Sequence, residues 1–253
     1  MEFVQLQKRD GIATLTFARG KVNAINGPVV DQMREHLKSL EHDPEAKAVV
    51  LTGAGKFFSF GFDVPEFLSF EKPQFARFLT AFTDLHTYLH TYLFLYPKPV
   101  VAALNGHAIA GGCMLALACD CRVMATGKGK ISLNELGFGA SVFAGITEML
   151  RFAVGSANAA KVLYSGSMYS AEEAKAIGLI DEVTAEQDLM DAAFNMASTL
   201  GSKYPPAFAG IKLLLRKTIA EDIMRRQPDS IREFVDIWYS DHTWANLKNI
   251  KIA

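Results

Sequence analysis

Two glycine-rich loops are the segments of this sequence with the clearest potential for chemistry. In the stretch 104–114, an apolar strand runs through Gly111 and Gly112 into an alanine-rich helix. Glycine lets the backbone approach a ligand closely, and the first N–H groups of a helix have no intrahelical acceptor. An earlier stretch has the same arrangement, because the apolar run Ala48–Thr52 leads through glycines into Phe57–Asp63. Together the loops predict a site in which two backbone N–H groups stabilise a developing oxyanion.

Acidic and basic side chains near these loops are the candidates for proton transfer. Glu135 follows a predicted strand, whereas Asp63 and Asp120 lie where carboxylates commonly cap helices or anchor turns. We therefore interpret both aspartates as structural. His107 precedes the second loop and is open to two interpretations, ligand contact or packing. Lys56 precedes the first loop and is either a phosphate contact or a solvated surface lysine.

Metal ligands with the required spacing are absent from the sequence. His86 and His90 share one face of a predicted helix, but no acidic ligand is paired with them. Cys113, Cys119 and Cys121 lie close together without a CxxC pair, so we expect buried, reduced thiols rather than a disulfide framework. We predict no metal site.

Length and composition limit the possible classes of protein. The chain has 253 residues, half of them hydrophobic, which is enough for one large α/β domain or a domain with an appended helical segment. A net charge of -1 predicts neither a nucleic-acid partner nor an anionic membrane partner. The first ten residues are polar and no apolar run is long enough to span a bilayer, so we expect a cytoplasmic protein without a signal peptide.

Hydrophobic periodicity places strands early in the chain and helices late. We divide it into a core domain, residues 1–195, and a C-terminal helical region, residues 196–253. The predicted strands are Phe3–Gln7, Gly11–Phe17, Ala48–Thr52, Val100–Leu104, Arg122–Ala125 and Lys130–Leu133. The predicted helices are Val29–His42, Pro73–Tyr96, Ala110–Cys119, Ile146–Phe152, Ala157–Tyr164, Ala171–Ile177, Glu186–Leu200, Pro206–Asp222 and a last one from Asp229.

Four segments resemble the crotonase superfamily, which contains the enoyl-CoA hydratases and isomerases. They are Lys21–Ala24, Phe58–Asp63, Ala110–Met114 and Ser170–Val183. The resemblance implies an α/β fold of stacked ββα units with a C-terminal helical region, assembled as homotrimers or hexamers. It also implies an acyl-CoA thioester substrate and no separate cofactor, since coenzyme A is part of the substrate.

The same resemblance assigns roles to individual residues. The backbone N–H groups of Phe62 and Gly111 would polarise the thioester carbonyl. Asn23 and Ala24 belong to the loop beside the adenine and pantetheine. Further substrate-binding residues by this resemblance are Ser59, Phe60, Met114, Phe138 and Phe143. Phe60 stands where a small residue is usual, so we expect a reshaped first loop or acyl pocket.

The carboxylates decide which reaction the resemblance implies. Hydratases of the superfamily use two glutamates, and this sequence has Met114 at the first position and Glu135 at the second. A thioether cannot accept a proton or orient water by a charge-assisted hydrogen bond. One carboxylate suffices to move a proton from the α-carbon to the γ-carbon, which shifts a β,γ double bond to the α,β position.

Three segments resemble the monofunctional Δ3,Δ2-enoyl-CoA isomerase branch: 131–137, 111–117 and 234–241. We therefore favour an isomerase of fatty acid metabolism with Glu135 as its single acid and base. Leu136, Phe138 and Phe143 are expected to raise the pKa of Glu135 by desolvation.

Other activities stay open at this point. One glutamate with an oxyanion hole is also compatible with an acyl-CoA thioesterase. A hydratase with a relocated second acid and a non-catalytic acyl-CoA-binding protein are further alternatives. A haloaryl-CoA dehalogenase is disfavoured, because residues 140–144 contain no carboxylate nucleophile. The acyl chain length depends on how Phe138, Phe143 and the predicted helix from position 75 to 93 pack.

Overall fold

The computed structural model describes residues 1–75, 77 and 92–249. Its strands are β1 (Val4–Arg9), β2 (Ile12–Phe17), β3 (Ala48–Gly53), β4 (Phe57–Ser59), β5 (Val100–Leu104), β6 (His107–Ile109), β7 (Cys121–Ala125), β8 (Ile131–Ser132) and β9 (Glu182–Thr184). The helices are α1 (Gly27–His42), α2 (Val64–Phe67), α3 (Gly111–Ala118), α4 (Ala144–Ser165), α5 (Ala171–Ala176), α6 (Leu189–Gly201), α7 (Pro205–Trp238) and α8 (Asp241–Leu247). Short 3-10 turns cover Glu135–Phe138 and Glu186–Asp188.

A six-stranded sheet forms the centre of the molecule, in the order β1-β2-β3-β5-β7-β9. Strands β1 and β2 form the predicted antiparallel hairpin, and the other neighbours are parallel. Side chains of β3 alternate between two cores, with Val49 and Leu51 on one face and Ala48 and Val50 on the other. Both faces are covered, which explains why the strand is a continuous apolar run.

A second, three-stranded sheet carries the loops that the sequence singled out. Its order is β4-β6-β8, and both pairings are parallel. The carboxyl ends of parallel strands meet at one edge of a sheet, so the residues after β4, β6 and β8 converge. β4 and β6 were not predicted, because three residues are too few for periodicity to register.

One predicted interruption among the late helices is confirmed and another is wrong. Residues 146–152 and 157–164 lie on the two sides of a kink in α4 at Gly155, whose φ of 75° and ψ of 163° are non-helical. Helix α7 runs without a break through Pro228, where two helices were predicted. A helix tolerates proline when packing compensates for the lost hydrogen bond, and Gln227 and Ile231 beside it are buried.

The C-terminal helix α7 is tied to the core by a buried ion cluster. Asp120 accepts a hydrogen bond from Lys212 Nζ at 2.8 Å and lies 3.2 Å from Arg216 Nη1. Its carboxylate also accepts the backbone N–H of Val100 at 2.8 Å, which confirms the interpretation of Asp120 as an anchor. The division at residue 195 stays a prediction, and α6 runs across that position.

Part of the predicted helix Pro73–Tyr96 lies outside the described residues. Residues 72–75 and 92–94 are helical, and Phe75 and Leu93 are fully buried. The other members of its predicted apolar stripe lie outside the description, as do His86 and His90. Across the described ranges, no helix combines the length and apolar character needed to cross a membrane.

Candidate active site

The two glycine-rich loops touch each other at the edge of the small sheet. Gly61 has a left-handed φ of 87°, and a Cβ atom there would lie 2.9 Å from both the Gly111 amide nitrogen and the Ile109 carbonyl oxygen. Only glycine permits this conformation and this approach together. The structure therefore brings the two predicted oxyanion segments into direct contact.

The second loop is held in a strained conformation immediately before α3. Ala110 has φ 48° and ψ -116°, a region that L-residues rarely adopt. Its N–H donates to Ser132 O at 2.9 Å, which links this loop to the end of β8. Gly111 follows as the first residue of α3, where a backbone N–H has no intrahelical acceptor.

The first loop places Phe62 beside Gly111. A Cβ atom on Gly111 would lie 3.5 Å from the Phe62 ring carbon Cδ1. Phe62 is also bridged to Ile25, whose N–H donates to Gly61 O at 2.7 Å. The two residues predicted to polarise a carbonyl are thus neighbours, and their catalytic role remains a prediction.

Asn23 and Ser59 support the first loop from inside the protein. The Asn23 amide accepts from Arg19 N and donates to Ala54 O and Phe57 O. Asn23 itself has φ 50° and is buried. Ser59 is fully buried and donates to Asn23 O at 2.8 Å. Both side chains face the protein interior, and direct substrate contact by either stays a prediction.

Asp63 anchors the end of the first loop. Its carboxylate accepts the N–H of Glu66 at the start of α2 and pairs with Arg19 Nη2 at 2.5 Å. The other guanidinium nitrogen of Arg19 donates to Ala24 O at 3.1 Å. The interpretation of Asp63 as a helix cap is confirmed, and Ala24 is fixed beside it.

Phe60 packs in an aromatic group on the outer side of the first loop. Its ring lies 5.8 Å from Phe57 and 6.3 Å from His107, and His107 stacks on Phe57 at 5.2 Å. Burial, helped by the positive charge of Lys130, lowers the pKa of His107 and favours its neutral form. These contacts supply the packing role that was one of the two interpretations of His107.

Glu135 is a buried carboxylate without a hydrogen-bond partner among the described residues. It begins the 3-10 turn after β8, is 6% exposed, and both of its carboxylate oxygens are unpaired. Burial raises its pKa to about 7, against a smaller lowering by its own backbone N–H. Such a group changes protonation near neutral pH, as a general base and acid must.

The surroundings of Glu135 differ in one respect from the expectation. Leu136 is 55% exposed, because the tight turn directs it outward, and it does not desolvate the carboxylate. Phe143 is buried and Phe138 is half-buried, and the desolvation of Glu135 by these two rings stays a prediction. Burial, and to a smaller extent the negative charge of Glu135, raise the pKa of the Cys113 thiol. The Ser132 carbonyl of β8 accepts the Ala110 N–H, and this hydrogen bond places the turn of Glu135 next to the start of α3.

Comparison with known proteins adds to this geometry. A family model described as enoyl-CoA hydratase/isomerase matches residues 7–242. The chain belongs to this family. Among curated relatives, it is 32% identical over 222 residues to a short-chain-enoyl-CoA hydratase of Clostridium acetobutylicum, covering 87% of this chain and 83% of the relative.

Two further similar proteins carry other reaction names. A carnitinyl-CoA dehydratase of Salmonella paratyphi A is 33% identical over 218 residues, covering 86% of this chain and 81% of the relative. The crystal structure of human mitochondrial delta3-delta2-enoyl-CoA isomerase superposes with a TM-score of 0.87 at 25% identity, covering 98% of this chain and 96% of the isomerase. The expected crotonase-like fold is therefore confirmed, and the family contains hydratase, dehydratase and isomerase members.

Within this enoyl-CoA hydratase/isomerase chain, Met114 lies in the first turn of α3. Its side chain is 4% exposed and belongs to the same hydrophobic core as Phe143. Cys113 and Cys119 are buried free thiols, as predicted, whereas Cys121 is a free thiol that is only half-buried. Position 114 thus contributes an apolar thioether to α3, one turn after Gly111.

An aromatic cluster joins Phe62 to the C-terminal helix of this family member. Phe62 lies 5.6 Å from Phe67 and 6.4 Å from Phe143, between ring centres. Phe234 packs on Phe143 at 4.5 Å, and Trp238 packs on Phe234 at 5.4 Å and on Phe67 at 6.3 Å. Sequence reasoning missed Phe67, Phe234 and Trp238 as part of this region, although residues 234–241 were recognised as similar to the isomerase branch.

Proposed function

We propose that this enzyme is a Δ3,Δ2-enoyl-CoA isomerase that converts a 3-enoyl-CoA into the conjugated 2-enoyl-CoA. The observation that carries the proposal is the combination of a carboxylate at position 135 with a thioether at position 114. A single buried carboxylate with a pKa of about 7 stands beside the oxyanion helix, and the position of the first hydratase glutamate holds a thioether.

The reaction needs one proton acceptor and one oxyanion site. Glu135 removes a proton from the α-carbon, and the N–H groups of Phe62 and Gly111 stabilise the negative charge on the thioester oxygen. The dienolate then takes the same proton back at the γ-carbon while the double bond moves to the α,β position. Glu135 returns to its ionised form, and no atom is gained or lost.

Hydration is disfavoured by the same residues. Two carboxylates can hold a water molecule between them, whereas Met114 offers no strong acceptor for it. Burial of Glu135 also restricts water near the dienolate. The names of the hydratase relatives keep hydration as the alternative that the experiment must distinguish.

The test follows three products from two substrates. The purified protein is incubated separately with a 3-enoyl-CoA and a 2-enoyl-CoA while conjugated-thioester absorbance, hydroxyacyl-CoA and free thiol are measured. We expect conjugation of the first substrate without the other two products. Hydroxyacyl-CoA would indicate a hydratase, free thiol would indicate a thioesterase, and acyl-CoA binding without turnover would indicate a non-catalytic protein.

The Glu135→Gln variant tests whether Glu135 is the residue that transfers the proton. It keeps the shape of the side chain and removes its basicity, so isomerisation should be lost while acyl-CoA binding persists. Turnover at the wild-type rate would remove Glu135 from the mechanism.

We further propose that the enzyme assembles as a homotrimer or hexamer through α7. The first half of this helix buries Lys212 and Arg216 and exposes four apolar side chains, with Leu214 the most exposed at 86%. The other three are Ile211, Leu213 and Leu215. Large exposed apolar side chains concentrated in one helix segment are typical of a protein interface.

A further inference from the structure

The turn that carries Glu135 is held from outside by helix α8. The Thr243 hydroxyl donates to Gly139 O at 2.6 Å, and the Asn246 amide donates to Phe138 O at 3.3 Å. A carbonyl oxygen only accepts, so the single hydroxyl proton of Thr243 points at the turn. Thr243 is 1% exposed, which shields this hydrogen bond from water.

Helix α8 packs directly on the end of the turn. Gly139 has a left-handed φ of 84°, and a Cβ atom there would lie 2.9 Å from His242 Cδ2 and 3.1 Å from Thr243 Oγ1. His242 in turn lies 3.2 Å from the Asn246 amide. Gly139 therefore permits both the backbone conformation and the close approach of α8.

The region around α8 is also fixed to the segment that follows the first oxyanion loop. The Tyr239 hydroxyl donates to Phe70 O at 2.9 Å, and its ring stacks on Trp244 of α8 at 4.8 Å. Trp238 packs on Phe67 of α2, which begins immediately after Asp63. One C-terminal segment thus connects the turn of Glu135 to the chain beside Phe62.

We propose that Thr243, assisted by Asn246, is a positioning residue that sets the reach of Glu135 between two carbons of the acyl chain. The inference rests on the proposed isomerase function. No side chain among the described residues bonds to the Glu135 carboxylate, so its position depends on the backbone turn that carries it. Neither Thr243 nor Asn246 touches the reacting atoms.

Proton transfer at the α-carbon and proton transfer at the γ-carbon depend differently on where the Glu135 carboxyl group lies. Removal of the α-proton occurs next to the carbonyl that the oxyanion loops hold. Delivery to the γ-carbon requires the same carboxyl group to reach further along the chain before its proton exchanges with solvent. A looser turn should therefore slow proton delivery to the γ-carbon more than proton removal from the α-carbon. The proton then returns more often to the α-carbon.

The experiment compares Thr243→Val with wild type in D2O, using a 3-enoyl-CoA. Isomerisation is followed by absorbance, and deuterium at the α-carbon of recovered substrate by mass spectrometry. We expect kcat for isomerisation to fall about tenfold with little change in KM, because the variant loses positioning rather than binding. The ratio of α-exchange to isomerisation should rise at least about fivefold, and Thr243→Ser should restore both values.

Thr52→Val is the matched control. Thr52 is also a buried threonine whose hydroxyl donates to a backbone carbonyl, that of Ala103 at 3.0 Å in the large sheet. This variant should leave the ratio of exchange to isomerisation unchanged. The proposal would be overturned if α-exchange and isomerisation fell by the same factor in Thr243→Val, or if both rates kept their wild-type values.

Two further measurements separate the possible failures. If Thr243→Val does not fold, Asn246→Ala removes the other contact to the turn and should change the ratio in the same direction, and an unchanged ratio would contradict the proposal. If the wild type does not isomerise, the proposed function fails. Amide hydrogen exchange of residues 135–140 separates this failure from a failure of the positioning role, since faster exchange in Thr243→Val shows that Thr243 holds the turn and unchanged exchange shows that it does not.

Discussion

In the proposed mechanism, burial of Glu135 links catalysis to pH at the scale of a single residue. The carboxylate has no compensating partner among the described residues, so removal from water favours its neutral form and raises its pKa to about 7. A base acts only when ionised. The same burial that adjusts the basicity of Glu135 therefore limits its activity in acid.

We predict that kcat/KM for isomerisation rises with pH through a midpoint near 7. Below this midpoint, protonated Glu135 cannot accept the α-proton, and kcat/KM should fall about tenfold per pH unit. Initial rates between pH 5 and 9 at low substrate concentration provide the measurement. A midpoint near the ordinary glutamate pKa of 4.5 would show that water or a cation reaches the carboxylate.

We also predict that Glu135→Gln makes the protein more stable at pH 8 but not at pH 4. In wild type the pKa of Glu135 is higher in the folded than in the unfolded state, so stability is lost as pH rises from 4.5 through 7. At about 1.4 kcal/mol per pKa unit, ionisation of Glu135 lowers the free energy of unfolding above pH 7 by about 3 kcal/mol. Urea unfolding of wild type and variant at pH 4 and pH 8 tests this. The same difference in free energy of unfolding at both pH values would contradict it.

At the scale of secondary-structure elements, the geometry depends on contacts between loops and on the attachment of α7. The two predicted oxyanion segments touch through Gly61, and α7 is connected through Asp120 to β5 and to the residues after α3. Each connection is a single position whose substitution has a defined physical effect.

Replacement of Gly61 by alanine should separate the loops. The new Cβ would lie 2.9 Å from the Gly111 amide nitrogen, so the predicted oxyanion donor must move. We expect kcat to fall about 100-fold or more, the typical effect of losing one such donor. Gly55→Ala is the matched control, because Gly55 also has a positive φ, 73°, but no atom would lie within 4 Å of its Cβ. Comparable losses of kcat in both variants would mean that backbone strain rather than loop contact is responsible.

Replacement of Asp120 by asparagine should loosen α7. Burial lowers the pKa of Lys212 to about 8 even with Asp120 beside it, and Arg216 shares the same carboxylate. Removing the negative charge leaves two buried cations uncompensated, which should lower the free energy of unfolding by about 3–5 kcal/mol. Asp236→Asn breaks the exposed ion pair of α7 with Lys72 and should cost less than about 1 kcal/mol. Urea denaturation of the two variants tests the difference, and equal losses would argue against a special role of the buried cluster.

At the scale of the whole molecule, α7 presents opposite surfaces to the core and to solvent. Its buried side holds the ion cluster, and its outer side exposes Leu214 and the neighbouring apolar side chains. Burying that surface against other copies of the chain would remove it from water.

We predict that Leu214→Glu shifts the protein from oligomer to monomer, because a charge in an apolar interface is desolvated without a partner. Sedimentation velocity measures the change in mass. Ser198→Glu on the exposed side of α6 adds the same charge elsewhere and should leave the oligomer intact. An oligomer that survives Leu214→Glu would exclude this surface as the interface.

Much of the site was accessible from the sequence because backbone chemistry has a local signature. Gly111 before an alanine-rich helix and the related arrangement around Phe57–Asp63 predicted two loops that the structure brings into contact. The hairpin and the buried strand Val100–Leu104 followed from alternation and from apolar runs. Resemblance then indicated Glu135 as the acid and base, and this role stays a prediction.

Only the tertiary structure decided how these residues are held. The side chains of Asn23 and Ser59 are buried beneath the first loop, whereas Leu136 is exposed. Sequence did not reveal this, because burial depends on partners distant in sequence. Two strands of the small sheet that aligns the three loops, β4 and β6, have three residues each and are too short for periodicity to reveal. The contact of Thr243 with Gly139 joins residues 104 positions apart. Local chemistry thus determined which residues react in our proposal, and long-range packing determined their pKa, their supports and their reach.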